Sequence, residues 1–203
     1  MSSSAHDHGH HHADSAVMSG RVNKLIAALE RRGLLTEASV DAYVERYLSQ
    51  AQPVNGFRVV ARAWVDPGFK ERLLADATTA VGELGFDITR GSPIKLRAVA
   101  NMPERHNMIV CTLCSCYPMS LLGVPPKWYK SEAYRSRAVR NPREVLAEFG
   151  VQLPPDTEIR VWDSTSEVRY MVVPQRPAGT EGKSEAELAQ LVTRNALIGT
   201  ALL

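Results

Sequence analysis

Cys111-Thr112-Leu113-Cys114-Ser115-Cys116 carries all three cysteines of this 203-residue chain. At spacings of i, i+3 and i+5, the sulfurs can meet only if the backbone between them turns tightly. The set is odd in number and too cramped to serve as a disulfide framework. Soft donors packed this closely read as a metal claw, and Pro118 stiffens the exit from the turn.

The rest of the chain limits what can surround the claw. An apolar fraction of 44% fits one ordinary domain with a real core, with room for an added arm. A net charge of +2 is too mild to argue for nucleic acid or a membrane surface, and neither is expected as a partner. No apolar run approaches the roughly 20 residues that span a bilayer, and the first residues do not read as a signal peptide. Without a structural disulfide, a reducing cytoplasm is the expected compartment.

Residues 1–16 open with MSSSAHDHGHHH, which places His6, His8, His10, His11 and His12 in a Ser/Asp/Gly setting. Such residues build no core, so a disordered His-rich tail is expected there. It is either a solvated tail or a metal-collecting one, since neutral imidazoles bind divalent transition metals. Neither reading makes it the catalytic site.

From Val17 to Gly33, the apolar residues Met18, Val22, Leu25, Ile26 and Leu29 keep helical spacing, and Gly33 supplies a stop. Thr36 caps a second helix with Val40, Tyr43, Val44, Tyr47 and Leu48 on one stripe. Gln52-Pro53-Val54-Asn55-Gly56 breaks the pattern. Residues 17–55 therefore read as a helical arm, one that reaches over a partner or packs on the body. Phe57 to Val65 has helical periodicity, and Asp66-Pro67 opens a helix expected to reach about Gly85. Ile94 to Ala98 alternates as a strand does, and Asn107 to Val110 is an apolar run leading into the cysteines. Asn141 with Glu144 gives a capping-box start, and Ser184 with Glu187 another. Glu158 to Trp162 and Val168 to Val173 read as a strand pair around Asp163-Ser164-Thr165-Ser166. Helices first and last with strands between predict an α+β fold: the arm, then a layered α/β body over 56–203.

Cys-x-x-Cys by itself suggests half of a zinc site or a thioredoxin-type redox pair. Structural zinc wants four ligands, and a second pair is missing; His106 stands at the far end of the expected strand. The redox motif opens a helix and leaves Cys116 without a role. The spacing permits another arrangement. Cys116 can chelate through its sulfur and its own backbone nitrogen in a five-membered ring. Cys114 can do so with the nitrogen of Ser115 in a six-membered ring, while Cys111 reaches across as an axial thiolate. One octahedral position then stays open for water or substrate. Deprotonated amides demand a strongly Lewis-acidic ion, so trivalent cobalt or iron fits better than zinc.

Val110-Cys-Thr-Leu-Cys-Ser-Cys116-Tyr117-Pro118 resembles the metal-binding signature of nitrile hydratase alpha subunits. The same signature marks a sister family, the gamma subunit of thiocyanate hydrolase. The similarity runs from about Val17 to Gly199. It includes Ala63-Trp64-Val65-Asp66-Pro67, Leu121 to Pro126, Trp128-Tyr129-Lys130, Tyr134 to Arg137, Val161 to Ser164 and Pro174 to Thr180.

The resemblance implies that Cys111, Cys114 and Cys116 are the sulfur ligands and that Ser115 and Cys116 give backbone nitrogens. It also implies Cys114 as a sulfinic acid and Cys116 as a sulfenic acid. Cys114, Ser115 and Cys116 then carry the catalysis. Thr112 resembles the cobalt branch, where iron members usually carry Ser, so one low-spin Co(III) ion per chain is expected, with Fe(III) as the alternative. A trivalent ion among three anionic sulfur groups and two amidates keeps a net negative charge, so the sulfur-borne oxygens need donors. In the family these are arginines of a beta subunit, whether one chain or split in two. Glu167 and Arg169 match positions implicated around the ligands; an ordinary cross-strand salt bridge is the plainer reading of that pair. The implied activity is hydration of a small-molecule nitrile to its amide, the ion polarising the nitrile or its water. Thiocyanate hydrolysis to carbonyl sulfide and ammonia is the enzymatic alternative. A non-catalytic metal module is the other.

Two departures from the pattern bear on the substrate. Most nitrile-hydrating members carry Trp-Pro after Tyr-Pro, where this chain has Met119-Ser120, a smaller and more pliable surface. Ser92 stands near the place of a glutamine that approaches the site. Met119, Ser120 and Ser92 are thus the candidate pocket residues, and the expectation is an enlarged pocket. A family member acting on the nucleoside antibiotic toyocamycin offers an analogue. Leu96-Arg97-Ala98-Val99 and the His/Asp-rich start look more like the thiocyanate hydrolase gamma chain, but that branch carries Arg where Met119 stands.

Overall fold

A computed structural model describes residues 9–89, 93–114 and 116–203, with the backbone alone for 9–15. Ser92, Ser115, His6 and His8 lie outside the described residues. The chain divides into two compact units, residues 1–47 and 48–203.

The first unit holds α1 (Gly9–Arg31) and most of α2 (Glu37–Gln50). Helix α1 begins inside the segment expected to lack structure. Once a helix is nucleated, adding residues to its end costs little, and the amphipathic stretch from Val17 supplies the nucleus. Thr36 caps α2 as the sequence indicates, its Oγ1 accepting from the Ser39 N–H at 3.1 Å. Both apolar stripes are only partly covered: Leu25 is 60% exposed and Tyr43 62%, Ile26, Leu29, Val40 and Tyr47 are half-buried, and α2 buries none of its residues.

In the second unit, α3 (Pro53–Val65) starts four residues before the expected Phe57. Pro53, a breaker by its sequence context, sits in the first turn, where its missing N–H costs nothing. Asp66 caps α4 (Pro67–Ala75) by accepting from the Phe69 N–H at 2.9 Å. The helix expected to continue to Gly85 stops at Asp76. Its carboxylate takes both the N–H and the hydroxyl of Thr79 and so begins a new helix, α5 (Ala77–Gly82).

Among the described residues, four strands build the middle of this unit. β1 (Lys95–Ala100) and β2 (Arg105–Val110) precede the cysteines; β3 (Glu158–Asp163) and β4 (Val168–Val173) come late. The sequence predicts that β3 and β4 pair with each other, and they do not. β1 pairs parallel with β4, and β2 parallel with β3, in two two-stranded sheets. The 164–167 turn carries the chain from one sheet to the other. Alternation and a short turn indicate two strands, but they do not name each strand's partner.

Between β2 and β3 lie α6 (Met119–Leu122), a 3-10 turn at Lys127–Lys130, α7 (Glu132–Arg140) and α8 (Pro142–Glu148). α9 (Glu185–Leu191) and α10 (Arg194–Ile198) end the chain. Ser184 and Glu187 form the expected capping box. Asn141 at the start of α8 makes no side-chain cap, its amide turning to Glu144 instead. One core runs beneath these elements, from Val60 and Leu73 through Met108, Leu122 and Leu146 to Met171 and Leu197. The unit is a mixed α/β body, as the element order in the sequence implies. Two matching segments far apart in sequence meet within it: Trp64 Nε1 donates to the Pro174 carbonyl at 2.9 Å, and Arg176 Nη1 to the Trp64 carbonyl at 3.3 Å.

Candidate metal centre

β2 delivers Cys111 from a strand buried at five successive positions, and Cys111 itself is fully buried. Cys114 is exposed and Cys116 half-buried. The turn brings their sulfurs together, with Sγ of Cys111 3.3 Å from that of Cys114, and Cys114 3.0 Å from Cys116. All three lie within 4.8 Å of one another, a donor set that one soft-tolerant ion can span. Burial, then the contact with Cys114, pushes the Cys116 thiol up to about 12, and Arg169 pulls the other way. A cation beside it would favour the Cys116 thiolate that burial disfavours, and three converging sulfurs offer such a cation its donors. The residues present thus fit a metal.

The parallel register sets what stands beside the claw. Val110 lies opposite Asp163, so the last residue of β3 faces the start of the turn. Asp163 accepts from both the N–H and the hydroxyl of Thr112, at 2.9 and 2.5 Å. The Ser164 N–H donates to the Val110 carbonyl at 2.8 Å. From α7, Arg135 donates to the carbonyls of Thr112 and Cys114, at 3.3 and 3.2 Å.

An aromatic layer supports the turn from within. Tyr129 donates to the Cys116 carbonyl at 3.1 Å, and Tyr134 to that of Ile109 at 2.6 Å. Tyr117 packs edge-on against Tyr129 with centroids 4.9 Å apart, and Trp128 against Tyr134 at 4.8 Å. Burial raises the phenols of Tyr117, Tyr129 and Tyr134 well above their ordinary value, so they act here as neutral donors.

The other residues singled out from the sequence fall as follows. Arg169 is close enough to influence Cys116, but its guanidinium donates to the Thr165 carbonyl rather than to Glu167. The cross-strand salt bridge between that pair is therefore not formed. Glu167 lies exposed in the turn, its carbonyl accepting from the Lys95 N–H. Met119 and Ser120 open α6; both are half-buried, Met119 packs on the core, and the Ser120 carbonyl accepts from Asn55. His106 is no spare ligand. It is buried at the start of β2, with one ring nitrogen on the Gly199 carbonyl at 2.7 Å and the other on Asn101. Asp163, Arg135 and Tyr129 carry no assigned role from the sequence, although all three fall in segments that carry the resemblance.

Comparison with known proteins agrees with this geometry. The family model for the nitrile hydratase alpha chain matches residues 16–201. The low-molecular weight cobalt-containing nitrile hydratase subunit alpha of Rhodococcus rhodochrous is 51% identical over 185 residues, 91% of this chain and 88% of that protein. Thiocyanate hydrolase subunit gamma of Thiobacillus thioparus is 44% identical over 165 residues, 77% of this chain and 68% of that one. Among solved structures, a double mutant of the Fe-type nitrile hydratase from Comamonas testosteroni Ni1 superimposes with a TM-score of 0.82 at 44% identity, covering 93% of this chain and 91% of its own. With a family model matched along nearly the whole described body, and the three-sulfur claw at the end of β2, the chain belongs to the nitrile hydratase alpha-chain family.

Proposed function

We propose that this chain is the metal-holding subunit of an enzyme that hydrates a nitrile to its amide. The observation that carries the reading is the cluster of three sulfurs within 4.8 Å, held at a strand end in a chain 51% identical to a cobalt-containing nitrile hydratase subunit. Bound there, a trivalent cobalt ion supplies Lewis acidity toward the nitrile or its water.

The chain's own residues prepare that chemistry. Cys111, Cys114 and Cys116 hold the ion through sulfur, with the backbone nitrogens of Ser115 and Cys116 completing its protein ligands. Cys114 is carried as a sulfinic acid and Cys116 as a sulfenic acid, which adds acceptor oxygens at the mouth of the site. Arg169, near Cys116, tempers the negative charge. A beta-subunit partner contributes further arginines, and the exposed apolar stripes of α1 and α2 support a helical arm that is covered by it. Met119, Ser120 and Ser92 shape the pocket for the nitrile. With every cysteine engaged in the claw, the cytoplasm is the compartment we favour. No described helix is long and apolar enough to cross a membrane.

Mass spectrometry of the 111–116 peptide together with metal analysis tests the assignment. Cobalt with oxidised Cys114 and Cys116 is the expected result; zinc with three unmodified thiols overturns it. The similarity to a thiocyanate hydrolase gamma subunit favours a second reading, and release of carbonyl sulfide from thiocyanate by the purified complex would decide for it.

A further inference from the structure

Arg135 has a position that the claw itself does not explain. It rises from the first turns of α7 and places one nitrogen, Nη1, on the carbonyl oxygens of Thr112 and Cys114. Those carbonyls flank the stretch between two of the three sulfurs. Fixing both limits how far Cys114 can swing from the buried Cys111. Among the described residues no carboxylate pairs with this guanidinium, whereas Arg137 on the same helix is paired with Glu148 at 2.5 Å. The Arg135 Nε is buried and has no hydrogen-bond partner among the described residues. A guanidinium cannot shed its charge, so a cation is held beside the turn without an anion of its own. A trivalent ion ligated by several anionic groups would leave a net negative centre at this turn, and Arg135 is placed beside it.

We propose that Arg135 is a positioning residue for the metal centre. It clamps the carbonyls of Thr112 and Cys114 so that the sulfurs converge, and it adds to Arg169 a second permanent positive charge of this chain against the anionic claw. This rests on the reading of the claw as a trivalent-metal site. Asp163 grips the same turn by its donors and Arg135 by its acceptors, so the two are complementary.

The test uses the chain co-expressed with its partner subunit in cobalt medium, reading cobalt per chain and the sulfur-to-cobalt charge-transfer absorption. Arg135→Met keeps the aliphatic stem and removes charge and donors. It is expected to lower cobalt content by about tenfold, as losses of ligand-supporting contacts do. In the cobalt that remains, the absorption should shift. Arg135→Lys should restore much of the loading and Arg135→Gln little, while Arg137→Met, which breaks only an exposed pair, should load as the wild type does. An Arg135→Met chain with wild-type cobalt and an unshifted band overturns the proposal. If that variant does not fold, the other two decide: Lys loading better than Gln supports the role, and Lys no better than Gln overturns it. A wild-type chain that takes up no trivalent ion overturns the reading of the site itself, which is a separate outcome.

Discussion

Asp163 holds Thr112 by two bonds at once, Oδ1 on the backbone N–H at 2.9 Å and Oδ2 on the hydroxyl at 2.5 Å. The residues are 51 positions apart, and the parallel pairing of β2 with β3 is what makes them neighbours. Thr112 follows the first cysteine, so this contact fixes the angle at which the chain leaves the strand. Asp163→Ala should cost about 1 kcal/mol, since bonds to a charged acceptor are worth somewhat more when buried and this one is exposed. It should also lower metal content, whereas Thr112→Ser, which keeps both donors, should leave each near wild type. Urea unfolding and metal analysis of the three proteins check this.

Gly199 shows how little room the core leaves behind the site. Its φ is +88°, and an added Cβ would overlap the Asn107 carbonyl oxygen on β2 and stand 2.9 Å from the Met108 Cα. Gly199→Ala is therefore expected to destabilise by about 3 kcal/mol, through overpacking against backbone that cannot yield. Gly150 has a similar φ of +81° with nothing within 4 Å of its added Cβ. Gly150→Ala should cost only the left-handed strain, about 1 kcal/mol. Thermal melts of the pair separate crowding from strain.

His106 should make the fold sensitive to acid. The Gly199 carbonyl can only accept, so Nε2 carries the hydrogen, and Nδ1 accepts from Asn101. Asn101 cannot turn round, because its Oδ1 already accepts from the Asn107 N–H at 2.8 Å. Burial accordingly depresses the imidazole below its ordinary 6.5. Above that value both folded and unfolded chains are neutral and nothing is lost. Below it the unfolded chain takes up a proton that the folded chain refuses, so stability falls with pH until the depressed folded value is reached. Urea midpoints between about pH 7 and 5 should decline more steeply for the wild type than for His106→Gln.

If Met119 lines the nitrile pocket as proposed, its replacement should change substrate choice. A thioether at the start of α6 is flexible and smaller than an indole. Met119→Trp should cut turnover of bulky heteroaromatic nitriles by about tenfold relative to small aliphatic ones, the range expected from reshaping one pocket wall. If the wild-type complex hydrates only small aliphatic nitriles, with no gain for bulky ones, an enlarged pocket is ruled out.

The claw is legible in the sequence because it is local. Three cysteines within six residues can converge through a single turn, and no distant part of the chain has to be known to see it. Caps are legible for the same reason: Asp66 and Ser184 satisfy N–H groups three residues away. Local signals mislead where they have two outcomes. Pro53 reads as a helix breaker and instead begins a helix. Asp76, hidden inside an apolar periodicity, ends one helix and caps the next. The turn at 164–167 reads as a link folding β3 back on β4, yet it separates them.

By itself, then, the sequence determined which three sulfurs can cluster, their spacing and the resemblance they carry, since these depend on covalent order alone. The tertiary structure decided which groups surround them. Asp163 meets Thr112 through parallel strand pairing, Arg135 reaches the Thr112 and Cys114 carbonyls from α7, and Tyr129 supports Cys116 from beneath. None of these follows from spacing along the chain. Hydrophobic periodicity sets which face of an element is buried, but the packing of whole elements sets what that face meets.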